Sequence, residues 1–218
     1  EHPEARLQQQ GLLAGPGSFA SCCRTEEERH RSSCLAQGAQ GAIVRKVLTR
    51  GAKFGQGSAL AGIRINLEFI SANPTGPLHL GHTRWAAVGD SIARVLSAAG
   101  AEVTREFYIN DRGTQMDLFA ASLHAAAHGL PTPENGYHGG YITDLARAIV
   151  AINPEIMKLS NSEAIAAFKE AGYRLQLQEQ KDVLDKFGTH FDVWYSEKSL
   201  HDSGAVASVA QRLEDKGH

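Results

Sequence analysis

Cysteine is scarce in this chain and badly placed for a scaffold. There are three, Cys22, Cys23 and Cys34, all in one short N-terminal stretch. An odd number so confined does not suggest a disulfide framework. His30 completes a formal zinc set, but adjacent Cys22-Cys23 lacks the C-x2-C spacing that lets two thiolates share one tetrahedral ion, so unpaired thiols are expected. No run of about 18 apolar residues occurs, which excludes a spanning helix. The opening EHPEARLQQQ has no apolar h-region, so no secretory signal is expected. Charge of one sign is also missing: 22 Lys+Arg against 24 Asp+Glu give a net charge of −2. That balance argues against a polybasic nucleic-acid binder. A strict G-x-G-x-x-G loop, a Walker A loop and internal repeats are absent as well.

What is present is ordinary for a folded domain. The 218 residues are 42% hydrophobic and 21% charged, enough to bury a core. The text is weakly patterned up to Gln40, with turn material at Ala14-Gly15-Pro16-Gly17 and a charge run from Arg24 to Arg31. From Ala42 a short helix is expected on Ile43, Val44, Val47 and Leu48, followed by a loop at Gly51, Gly55 and Gly57. Residues Ile63 to Ile70 alternate apolar and polar with period two, the signature of a strand.

Ser71-Ala72-Asn73-Pro74-Thr75-Gly76-Pro77 comes next, and its prolines forbid helix. Trp85, Val88, Ile92, Val95 and Ala99 then recur at helical spacing, with a start near Leu80 or Gly81 and Gly100 as the stop. A second strand at Glu102 to Ile109 completes a β–α–β unit, whose strands must be parallel. Helices are expected over Thr114–His128, Tyr141–Ile152, Asn161–Phe187 and Ser203–Lys216, with a strand at Phe191–Tyr195. The Pro- and Gly-broken stretch from Gly129 to Gly140 is the internal boundary.

The chemistry concentrates at His79-Leu80-Gly81-His82. A helix N-terminus offers unpaired N–H groups and partial positive charge, which attract phosphate. Two histidines three residues apart there can aim ring N–H donors at one anion. Glycine between them removes a Cβ where a flat ring could lie against the backbone. The position after the first strand of a β–α–β unit is where open parallel sheets bind nucleotides. A metal pair needs a third ligand, and none stands one turn behind. Read as four residues alone, the motif leaves two surface histidines at a helix cap as the simpler account.

The longer context decides between them. The run IRINLEFISANPTGPLHLGHTRWAAVGDSIARVLSAAGAEVTREFYINDRGTQMD, from Ile63 to Asp117, closely resembles the nucleotide-binding half of bacterial arginyl-tRNA synthetases. These are class I aminoacyl-tRNA synthetases, and HLGH looks like their HIGH signature. The resemblance continues through Tyr137–Ile142 and Phe191–Glu197, and precedes the run at Ala42–Leu60 and Ala14–Gly17. Two departures stand out. Residues Ser18 to Gln40 do not look like the family, and the chain stops at His218. The family's KMSK-type loop, its later Tyr/Asp pair and its anticodon-binding domain lie further on. Met157-Lys158-Leu159-Ser160-Asn161 lacks the closing lysine and is rejected as that loop.

The resemblance implies an α/β fold: a Rossmann-like half with a parallel sheet and flanking helices, plus a mostly helical insertion. The implied division is an N-terminal remnant over 1–61, the ATP-binding half over 62–128 and the insertion over 129–218, with Trp194-Tyr195 and the Asn161–Phe187 stripe read as its core. The implied activity is ATP-dependent activation of L-arginine and transfer to tRNA(Arg), in the cytoplasm, by a monomer without membrane contact. It implies ATP with Mg2+, with no dedicated metal ligands in this chain. His79 and His82 are the implied catalytic donors to the ATP phosphates; Pro77, His79, Gly81 and His82 the ATP contacts, Gly81 under adenine; and Glu68, Ser71 and Asn73 the arginine contacts. Asn110 and Asp111 are expected to support the pocket. An inactive half-site or interaction module, and a small nucleotidyltransferase sharing the His-x-Gly-His loop, are the competing readings.

Overall fold

The structure, a computed structural model, describes residues 39–218, in two units divided at Gln56. The cysteines, His30, the Ala14–Gly17 turn and nearly all of the divergent Ser18–Gln40 stretch lie outside the described residues. The first unit's described part is helix α1 (Ala39–Arg50) and a single 3-10 turn, Gly51–Lys53.

In the second unit, β1 (Arg64–Glu68) leads through a proline-rich loop to α2 (Leu80–Ala98) and β2 (Glu102–Ile109). Helices α3 (Thr114–Ala127), α4 (Gly140–Ile152) and α5 (Asn161–Phe187) follow, then β3 (Val193–Ser196), α6 (Glu197–Asp202) and α7 (Ala205–Glu214). The sheet order is β1-β2-β3, and both pairings are parallel. Ile65 faces Val103 and Leu67 faces Arg105 in the first register; Phe107 faces Trp194 in the second.

Strand β3 corresponds to the strand expected at Phe191–Tyr195, within the mostly helical range 129–218, and pairs with β2. The aromatic pair accounts for this: Phe107 stacks on Trp194 at 4.5 Å between ring centroids, and Phe191 meets Phe107 edge-on at 5.3 Å. Phe107 is fully buried, and each such side chain stabilises the fold by roughly 1.5–3 kcal/mol.

The apolar stripe of α2 reports a helix but not its buried face. Trp85, Val88, Ile92 and Val95 are exposed, and the face against the sheet is Ala86, Gly89 and Ala93. Small residues are needed there because the helix approaches closely: a Cβ on Gly89 would lie 2.3 Å from the Phe69 ring.

Helix α5 is the spine of the unit. Its 27 residues span about 40 Å. Phe168 near one end joins a helical core with Met116, Phe119, Leu123, Ile142 and Ile149. Leu184 near the other joins the sheet core with Phe107 and Ile109. Ser160 and Glu163 form a reciprocal cap at its start, and Gly188, at φ 82°, ends it in the left-handed conformation. Among the described residues, no helix is long and apolar enough to cross a membrane.

Candidate functional site

Strand β1 ends where its backbone turns out of the sheet. Ile70 and Ser71 adopt φ of 69° and 48°, left-handed values that cost non-glycine residues about 1–3 kcal/mol each. The twist places the Ser71 hydroxyl between two strands, donating to the Glu68 carboxylate and accepting from the Tyr108 amide at 3.1 Å. Glu68 and Ser71 are thereby brought together, with Glu68 exposed at the C-terminal end of β1.

The loop that follows has no sheet partner, so its carbonyls are held by side chains from the helices. Gln180 Nε2 donates to the carbonyls of Asn73 and Gly76, each at 3.0 Å. The Tyr141 hydroxyl donates to the Thr75 carbonyl at 3.1 Å, and Asn73 Nδ2 donates to Gln115 Oε1. These three anchors come from α5, α4 and α3, and sequence reasoning missed all of them. Only Gln180 left a signal: it occupies a rung of the buried ladder Ala164, Phe168, Gly172, Gln176, Gln180, Leu184, spaced by four.

His79 is the N-cap of α2. The Gly81 amide donates to His79 Nδ1 at 3.1 Å, and the His79 amide donates to His82 Nδ1 at 3.1 Å. Each Nδ1 therefore acts as an acceptor, and each neutral ring carries its proton on Nε2. The rings lie 3.8 Å apart and 31° from parallel. Burial lowers the His82 pKa from its ordinary value, and the neighbouring His79 acts in the same direction. The arrangement leaves each Nε2–H free of the capping bonds, at the positive end of a 19-residue helix. Glycine is required between them because the His79 ring folds back: a Cβ on Gly81 would lie 3.0 Å from its Cε1. Pro77 is exposed just ahead of this turn.

Among the described residues, no side-chain hydrogen bond joins the histidine pair to Glu68, Ser71 or Asn73; the loop 71–78 and the packing of α2 on Phe69 connect them. Asp111 lies at the far end of β2 from Glu102. It is buried, accepts from Ser196 Oγ at 2.5 Å and the Lys198 amide at 2.8 Å, and so ties β2 to β3 and α6. Tyr173 also bonds Asp111, and burial chiefly raises its phenol pKa to about 12. A cleft of about 340 Å³ beside Asp111 is lined by Arg112, Lys169, Tyr173 and Lys198, and by none of His79, His82, Glu68, Ser71 or Asn73. Asn110 is exposed at the end of β2. Among the described residues no three His, Cys, Asp or Glu side chains converge to hold a metal ion.

Residues 43–191 match the family model of class I tRNA synthetases (R), catalytic domain. An arginine–tRNA ligase of Pseudarthrobacter chlorophenolicus is 50% identical over 180 residues, 83% of this chain and 32% of that protein. One from Micrococcus luteus is 51% identical over 178 residues, 82% of this chain and 32% of that protein. The chain thus spans about a third of the length of these relatives. Among solved structures, a Campylobacter jejuni chain assigned as an arginyl-tRNA synthetase matches with a TM-score of 0.72 and 28% identity, over 83% of this chain and 40% of that one. The arginyl-tRNA synthetase of Thermus thermophilus matches with a TM-score of 0.53 and 26% identity, over 84% and 31%. With a parallel sheet, a His-x-Gly-His helix cap and these relatives, the chain belongs to the class I arginyl-tRNA synthetases, a family of ligases, and carries part of their catalytic domain.

Proposed function

We propose that the chain supplies the ATP-binding and arginine-binding part of an arginine–tRNA ligase. The observation that carries this reading is the reciprocal cap of His79 and His82, which leaves two Nε2–H donors at the head of α2. The reaction is attack by the arginine carboxylate on the α-phosphorus of ATP. One phosphorus–oxygen bond forms, the bond to the bridging oxygen breaks, and pyrophosphate leaves with its electron pair. The terminal ribose hydroxyl of tRNA(Arg) then attacks the activated carbonyl, and AMP leaves.

No covalent nucleophile is needed from the protein; alignment and charge neutralisation suffice. His79 and His82 donate to phosphoryl oxygens as charge builds there, and the α2 dipole assists. Pro77 and Gly81 border the nucleotide. Glu68 faces the cationic substrate, while Ser71 and Asn73 fix its amino and carboxylate groups. Mg2+ would accompany ATP and would help to neutralise the phosphate charge, and no residue of this chain is assigned to it.

The division into an ATP-binding half up to 128 and a helical segment beyond belongs to the same reading, as do a monomeric state and the cytoplasm. Arginine-dependent ATP–pyrophosphate exchange, with tRNA(Arg) present, tests it. Exchange abolished by His82→Ala supports the reading. Tight ATP binding without exchange points to the inactive half-site, and exchange independent of arginine to another nucleotidyltransferase.

A further inference from the structure

We propose that Gln180 is a positioning residue, setting the distance between the arginine side and the phosphate side of the site. The inference rests on the functional reading above for what is positioned, and on geometry for how. Gln180 is 1% exposed, in the middle of α5. Both Nε2 hydrogens are used, on the carbonyls of Asn73 and Gly76 that flank the Pro74-Thr75 turn. The amide cannot be flipped, because its oxygen would then face two acceptors.

Its other end is left unsatisfied. Gln180 Oε1 is buried and, among the described residues, has no hydrogen-bond partner. An orphaned buried acceptor destabilises the folded state, because it gives up water without gaining a partner. Leu184, on the next rung, and Phe168, three rungs back, bury apolar side chains without that cost. A glutamine at this rung therefore costs stability in the core it occupies, and what it secures is the loop.

The loop has few other restraints. Pro74 and Pro77 have no amide hydrogen, and the segment lies outside the sheet. Gln115 and Tyr141 each hold one point, the Asn73 Nδ2 amide and the Thr75 carbonyl. Among the described residues, Gln180 is the side chain that grips both sides of the turn. With that span fixed, Asn73 and His79 keep one separation although no direct bond links them.

The test measures hydrogen–deuterium exchange and ATP affinity on the whole chain for wild type, Gln180→Met and Gln180→Glu. Methionine keeps the volume and removes the donors. The expected result is exchange of the 71–79 amides faster by about tenfold, with α3 and α4 amides and the unfolding midpoint little changed. ATP affinity falls in step with the loop. In Gln180→Glu a buried carboxyl facing two carbonyls titrates upward, so protection returns between about pH 8.5 and pH 6 as the acid regains a donor. A merely structural residue gives no such pH-dependent rescue.

Unchanged 71–79 exchange in either folded variant, or exchange accelerated equally everywhere, overturns the proposal. Should both variants fail to fold, the wild-type Gln180 side-chain amide decides it: two slowly exchanging NMR resonances support the grip, and fast exchange with solvent overturns it. Wild type that binds no ATP while its loop still opens in Gln180→Met contradicts the functional reading and leaves the grip intact.

Discussion

The main-chain amide of His79 donates to Nδ1 of His82, while the His79 ring accepts from the Gly81 amide, each at 3.1 Å. One residue thus caps the helix with its side chain and is itself capped through its backbone. Two orphan donors are satisfied, and both imidazoles are held in the tautomer that carries its proton on Nε2.

Capping and phosphate binding are separable at position 79. His79→Ala removes the cap and is expected to destabilise the chain by about 1 kcal/mol. His79→Asp restores a good cap, so its urea midpoint should return close to wild type while the ring donor stays lost. Equal midpoints for the Ala and Asp variants would show that the cap contributes nothing.

Acid should loosen the fold through histidine. Burial lowers the folded-state pKa of His82 and of His124, with a second histidine adding to the effect in each case. The unfolded chain therefore binds more protons as pH drops through the ordinary value of 6.5. Stability is complete above that value and declines below it. Thermal midpoints recorded from about pH 7.5 down to pH 5.5 should fall, and fall less in His82→Gln. A flat profile would contradict the assigned environments.

Alkali acts through a different residue. The Tyr173 phenol, ordinarily near 10.0, is raised to about 12 by burial and by Asp111 beside it. A raised phenol pKa means stability present below 10.0 and lost as pH climbs towards 12. Burial also raises the Tyr108 and Tyr141 phenols, so an absorbance titration should show several late tyrosines with Tyr173 the last, and Tyr173→Phe should delete that last step.

Close packing of α2 on the strand end predicts a costly small-to-large change. Gly89→Ala gains about 1 kcal/mol of helix propensity but forces a Cβ into the Phe69 ring, an overpacking worth about 1–3 kcal/mol. The variant should be less stable than wild type. Adding Phe69→Leu should recover part of the loss, giving a favourable coupling in a double-mutant cycle. Additive effects would mean that the two residues do not touch.

Local pattern made much of this legible beforehand. Ile65 and Leu67 alternate, so β1 was readable; α5 runs over Asn161–Phe187 as expected, because Gly188 stops it. The parallel β1–α2–β2 unit follows from its order along the chain. Helix α6 was not readable, since six residues are too few to show a period. The buried face of α2 was hidden because its large apolar residues point outward and its contact face is alanine and glycine. At the site, the histidine cap follows from sequence, whereas Gln115, Tyr141 and Gln180 reach the loop from 42, 66 and 107 residues away. Long-range side-chain bonds of that kind have no local periodicity to betray them.

In the proposed function, the two imidazole donors at the head of α2 hold the nucleotide. The most direct measurement is the affinity of the whole chain for ATP, wild type against His79→Asn/His82→Gln, with unfolding midpoints recorded on the same samples. The account predicts binding weakened by about tenfold or more, as expected for losing hydrogen bonds to a charged group, at nearly unchanged stability. Equal affinity in the two folded proteins would contradict it.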